Sequence, residues 1–159
     1  MSTTSPGFEP AIGGGVVAGY DGSSCGEAAV EWAMEDAARR GCELHVIRAW
    51  LLSNAMRDVR RPFGTVPSLQ ECDGAVREAL AEAVERVRER VSTAARQVVV
   101  HCHVLHGPST SALVNASHAA DLLVVGDRGR GGFAGLLIGS TAEQVLRHAT
   151  CPVVVLHHE

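Results

Sequence analysis

DLLVVGDRGRGGFAGLLIGSTAEQVLRHATCPVVV, residues 121–155, decides how this chain folds. Asp121–Val125 is a short, nearly continuous apolar run, the pattern of a strand buried on both faces of a parallel sheet. A glycine-rich segment, 126–139, follows it. Ser140-x-x-Glu143 fits a capping box and opens a helix that must stop before Cys151-Pro152. Val153–Leu156 is a second apolar strand. A strand, a crossover helix and another strand make the repeating unit of a parallel sheet.

Working toward the amino end, the same alternation recurs. Val16–Tyr20 is an apolar run ending in Asp21-Gly22-Ser23-Ser24. Ser24-x-x-Glu27 reads as a capping box, Ala29, Trp32, Ala33 and Ala37 form one apolar face, and Gly41 ends the helix. Glu43–Ala49 is a second strand. Residues 50–70 lose all periodicity and form the longest loop, read as a lid or a disordered connection. A helix to about Ala95 follows, with Val76, Leu80, Val84, Val87 and Val91 on one face and solvated Glu and Arg on the other. Gln97–Leu105 is a third strand, and Gly107-Pro108-Ser109 starts another helix. The order βαβαβαβαβ predicts an α/β fold with one doubly wound parallel sheet of five strands, order 3-2-1-4-5, and helices on both faces. Residues 1–14 are polar and glycine-rich, expected to be a disordered lead-in to one domain over 15–159.

Composition excludes several function classes. The chain has 159 residues and a net charge of −4, so no basic excess favours nucleic acid or a membrane surface. All 14 basic residues are arginine. Without lysine there is neither a Walker-A phosphate loop nor a Schiff-base enzyme. The five cysteines are scattered without a C-x-x-C pair, the usage of reduced thiols, and Cys42 and Cys102 are expected in the core. With no signal-like start and no long apolar run, a cytoplasmic location is the expectation.

In an open α/β sheet, ligands bind beyond the carboxyl ends of the strands, where the strand order reverses. That singles out the loops at 20–24 and 126–139. Glycines in the second can bring amides close to an anion and adopt positive φ in a nest. Gly139, Ser140 and Thr141 offer free amides and two hydroxyls at a helix start, and Arg128 and Arg130 add positive potential. A polyanion fits, a nucleotide first among them. Gly129-x-Gly131-x-x-Ala134 matches a dinucleotide fingerprint but opens no helix, so that match is rejected.

Gly126-x2-Gly129-x9-Gly139-Ser140-Thr141, set between DLLVV and CPVVV, resembles the ATP-binding branch of the universal stress protein family, whose motif is Gly-x2-Gly-x9-Gly-(Ser/Thr). The likeness extends over VVAGYDGS at 16–23, LHVIRAW at 44–50 and HGPSTSALVNASHAADLLVVGDRGRGG at 106–132. It implies that Gly126, Asp127, Arg128, Gly129, Arg130, Gly131 and Gly132, with Gly139, Ser140 and Thr141, wrap ribose and phosphates. It implies Asp21 near the ribose and a magnesium ion, Gly19 allowing close backbone approach, and Val46 against adenine. Mg2+ would arrive with ATP. Asp127 stands where the family often has a small hydroxyl residue; with Arg128 beside it, its side chain is expected outward.

The resemblance implies a regulatory or sensor module in a stress response. No evident base serves the γ-phosphate, so efficient catalysis is not expected. The alternative is a slow ATPase or an adenylyl-transferring enzyme with the 51–70 loop as its lid. The last strand is short, apolar and at a sheet edge, the dimer contact of the resembled family, so a homodimer is expected. His101-Cys102-His103 puts two imidazoles on one strand face, too few for a closed metal site without outside ligands; a polar strand face is the reading taken, and His157-His158 invites a metal still less.

Overall fold

Five short apolar runs assemble into one parallel sheet: β1 (Val16–Gly19), β2 (Leu44–Trp50), β3 (Val100–His106), β4 (Leu122–Gly126) and β5 (Val153–Leu156). The order is β3-β2-β1-β4-β5, as the sequence predicts. The computed structural model describes residues 11–59, 62–129, 135 and 137–157. Among these residues, six helices connect the strands: α1 (Ser24–Arg40), α2 (Leu52–Ala55), α3 (Leu69–Arg90), α4 (Thr93–Arg96), α5 (Ser109–Ser117) and α6 (Ser140–His148).

Alternation along the strands divides the core in two. Val16, Ala18, Leu44, Val46, Trp50 and Val124 face α1 and α3, whose Ala33, Met34, Leu80 and Val87 cover them. Val17, Ile47, Leu123 and Val125 face α5 and α6 through Leu113, Ala116, Ala142 and Val145. The 4-4-3-4 stripe of the long helix is buried at Val76, Leu80, Val84, Val87 and Val91. Trp32 is only partly buried, packed at the margin of the first cluster.

Several local expectations need correction. The cap of α1 is Ser23, not Ser24: its Oγ accepts from the amide of Gly26, while Asp21 Oδ1 accepts from the Ser23 amide and hydroxyl. Asp21 thus draws the turn one residue tighter than the capping box implied. At α6 the cap is Gly139, and Ser140 is already helical. The charged side of α3 is more than a solvated face, because Arg86 and Arg90 bridge to Glu27 and Glu31 of α1. The third strand starts late because Ser92 caps a short extra helix; its amide and hydroxyl donate to Glu35 of α1.

The 51–70 loop is anchored in its first half. Arg48, 2% exposed, pairs with Asp58, and its guanidinium lies over the Tyr20 ring. Ala55 is buried and Val59 packs on the first core cluster. Of the lead-in, residues 1–10 lie outside the described residues, while Ile12 packs on the second cluster and the Gly15 amide donates to Asp121. Cys102 is exposed rather than in the core, since its face of the edge strand is open there, and Cys42 is half-buried. Among the described residues no helix is long and apolar enough to cross a membrane.

Candidate functional site

The carboxyl ends of β1 and β4 lie side by side, and the turns that follow them meet. Asp21 opens the turn after β1, and Gly129 lies in the loop after β4. A Cβ built on Gly129 would sit 2.8 Å from Asp21 Oδ2, so glycine lets the two loops approach with the Asp21 carboxylate in its present place. A Cβ on Gly139 would meet the Asp127 carbonyl oxygen at 3.2 Å. That carbonyl accepts from the Gly139 amide at 2.5 Å, which ties the start of α6 to the beginning of the glycine loop.

The first three helical amides of α6 therefore follow a residue without a side chain to cap them, at the positive end of a helix dipole. Thr141 is half-buried and its hydroxyl lies 3.2 Å from that of Ser109, at the start of α5. The starts of α1, α5 and α6 thus gather at one edge of the sheet. Backbone amides, the Ser140 and Thr141 hydroxyls and the exposed Arg128 suit a phosphate; Asp21 supplies a hard oxygen for a magnesium ion. These donors fit a magnesium nucleotide.

Gly126, Asp127, Arg128, Gly129, Gly139, Ser140 and Thr141 are brought together with Asp21. Arg130, Gly131 and Gly132 lie outside the described residues. Gly19 is a packing glycine: Leu113 fills the space where its Cβ would be, at 3.0 Å. Gly126 is another, since a Cβ there would meet Cys25 Sγ at 2.6 Å. Val46 is wholly buried in the first core cluster. Positive φ occurs at Gly135 but not at Gly126, Gly129 or Gly139; glycine at 129 and 139 serves close approach instead.

Asp127 corrects a second expectation. Its carboxylate points inward, 5% exposed, and accepts from the Cys25 thiol at 3.2 Å and from His157 Nδ1 at 2.9 Å. The amide of Asp127 pairs with the Leu156 carbonyl of β5, which turns the side chain toward that strand's end and away from Arg128. Burial alone would push its carboxyl up, but the Cys25 and His157 hydrogen bonds hold it below the usual carboxylate range. Burial pushes the Cys25 thiol up, so it serves as a neutral donor. His157 had no signal in the sequence, because nothing local says that a terminal histidine folds back over β4. Ser109 was equally hidden, its role depending on how two helix starts meet.

The family model described as Universal stress protein family matches residues 15–157. A universal stress protein of Mycolicibacterium smegmatis is 36% identical over 141 residues, covering 89% of this chain and 45% of its own length. Universal stress protein Rv2623 of Mycobacterium tuberculosis is 34% identical over 152 residues, covering 91% of this chain and 48% of its own. The chain thus spans about half the length of the curated relatives it matches. Among solved structures, a universal stress protein in complex with cAMP is 28% identical with a TM-score of 0.63, covering 92% of this chain and 98% of the other. A universal stress protein from Archaeoglobus fulgidus in complex with dAMP shares the fold at 21% identity and a TM-score of 0.60, covering 91% and 98%.

Proposed function

The chain belongs to the universal stress protein family, and on that premise we propose that it binds ATP with Mg2+ where β1 and β4 end, as a cytoplasmic stress-response module. The observation that carries this reading is the pairing of Asp21 with Gly129 beside the side-chain-free start of α6. It sets a helix start suited to phosphate oxygens beside one carboxylate suited to a cation. The cAMP complex of a 28% identical relative supports an adenine nucleotide over other polyanions. Ser140 and Thr141 would hold phosphate oxygens, Arg128 would neutralise charge, and Asp21 would hold the metal or ribose. When bound, Mg2+ would screen the phosphates.

We further propose a homodimer through β5, which pairs only with β4 among the described strands and keeps all four residues half-buried. Light scattering reads this directly, and a 16.7 kDa monomer at micromolar concentration would contradict it. Calorimetric titration with MgATP, ATP and MgAMP tests the site. Saturable one-to-one MgATP binding is expected; no binding of any of the three would contradict the reading.

A further inference from the structure

At the opposite end of the sheet, β2 and β3 bring together side chains that the sequence separates by more than 50 residues. His45 is the register partner of His101, and Ile47 is the partner of His103. Alternation therefore places His45, His101 and His103 on one face of two adjacent strands. His45 is buried at 4% exposure, whereas His101 is 43% and Glu43 57% exposed. His101 Nε2 lies 2.9 Å from Glu43 Oε2, and His45 Nδ1 lies 2.9 Å from His103 Nε2. The His45 and His101 rings stack at 4.8 Å. One donor atom each from Glu43, His45 and His101 falls within 4.8 Å of the others. A cavity of about 370 Å³ opens over them, bounded by Gly13–Gly15 and Cys42.

We propose that Glu43, His45 and His101 form a binding site for a divalent transition-metal ion of the zinc type, with His103 orienting His45. Two imidazoles on one strand were too few; the sheet register supplies a third ring and a carboxylate. Three protein ligands with a fourth position open to water is a common zinc arrangement. Ligand atoms around such an ion stand somewhat closer than the largest separation here, a gap that rotation of the exposed Glu43 and His101 closes. A ligating imidazole usually has its other nitrogen held by a second group, the relation that His103 has to His45. Imidazole-rich donors suit zinc, copper or nickel, whereas Mg2+ and Ca2+ need more oxygens than one carboxylate offers. This site lies at the amino ends of the strands, so it is independent of the nucleotide reading.

The experiment is calorimetric titration of the whole chain with Zn2+, together with absorption spectra of the Co2+ form. Wild type, His101→Gln, Glu43→Gln, Cys42→Ser and a distant His118→Gln are compared, with each metal-free unfolding midpoint measured. One Zn2+ per chain is expected, weakened at least ~10-fold by His101→Gln and by Glu43→Gln and unchanged by the other two. The Co2+ spectrum should lack thiolate charge transfer. If one of the exposed-residue variants lowers the midpoint, the other carries the test. Absence of stoichiometric binding in wild type overturns the proposal. So does unchanged binding in both ligand variants, or loss in Cys42→Ser with a thiolate band.

Discussion

The loops after β2 and β4 leave the same edge of the sheet on either side of β1, yet they are held by opposite means. The first is pinned by side chains: Arg48 reaches out of the core to Asp58, and Trp50 Nε1 donates to Asp73 of α3. In the second, the described residues are tied by backbone, the Gly139 amide on the Asp127 carbonyl, with glycine at 129 and 139 where other groups come close. A side-chain anchor fixes a loop at the cost of filling the space beneath it. A loop tied through its backbone leaves the space around it free of anchoring side chains. The contrast gives the first loop a part in stability and, in the function proposed above, leaves the second for binding.

The largest effect should come from breaking the anchor. Arg48→Met leaves the Asp58 carboxylate, 11% exposed, without its counter-ion, and removing one partner of a buried pair costs about 3–5 kcal/mol. Urea unfolding measures this; a loss below ~1 kcal/mol would place the pair with ordinary surface bridges and erase the contrast. Asp21→Ala should weaken MgATP about tenfold, or ~1.4 kcal/mol, and metal-free ATP less. Equal weakening of both would remove the metal from the role of Asp21.

Smaller effects sharpen the side-chain half of the comparison. Ser92→Ala removes the α4 cap and the hydroxyl that donates to Glu35, so thermal unfolding should report a loss of about 1 kcal/mol. Smallest of all is the pH dependence of Asp127. Its folded pKa lies below the ordinary 3.8, so its contribution is complete above that value and fades as pH falls through the lower, folded one. Asp127→Asn should lower stability at neutral pH, where the ionised carboxylate contributes in full, and flatten the acid limb below about pH 4. An unaltered acid limb would mean that the Cys25 and His157 contacts carry no energy.

The same contrast explains what could be read in advance. The succession of strands and helices and the α3 stripe follow from apolar periodicity, which is local, so Val76 through Val91 were legible one by one. The glycine loop was legible because backbone-built sites require glycine at fixed spacing, here Gly126, Gly129 and Gly139. Its rationale was not: glycine serves close approach to the Asp127 carbonyl within the loop and to Asp21, more than 100 residues away in sequence. The inward Asp127 was hidden because its partners, Cys25 and His157, come from the two ends of the fold. The histidine cluster was half legible, since His101 and His103 share a strand but His45 joins them only through register.

Gly129→Val tests the central claim most directly. Titration of this variant with MgATP, beside its unfolding midpoint without nucleotide, separates binding from folding. A valine there pushes against Asp21 Oδ2 and occupies the gap between the two loops, while the flexible carboxylate can turn aside in an exposed region. The account predicts that MgATP affinity falls by at least ~100-fold, a loss of about 2.7 kcal/mol, with a nearly unchanged midpoint. MgATP binding of wild-type strength in Gly129→Val would contradict it and leave the loop as a plain connection between β4 and α6.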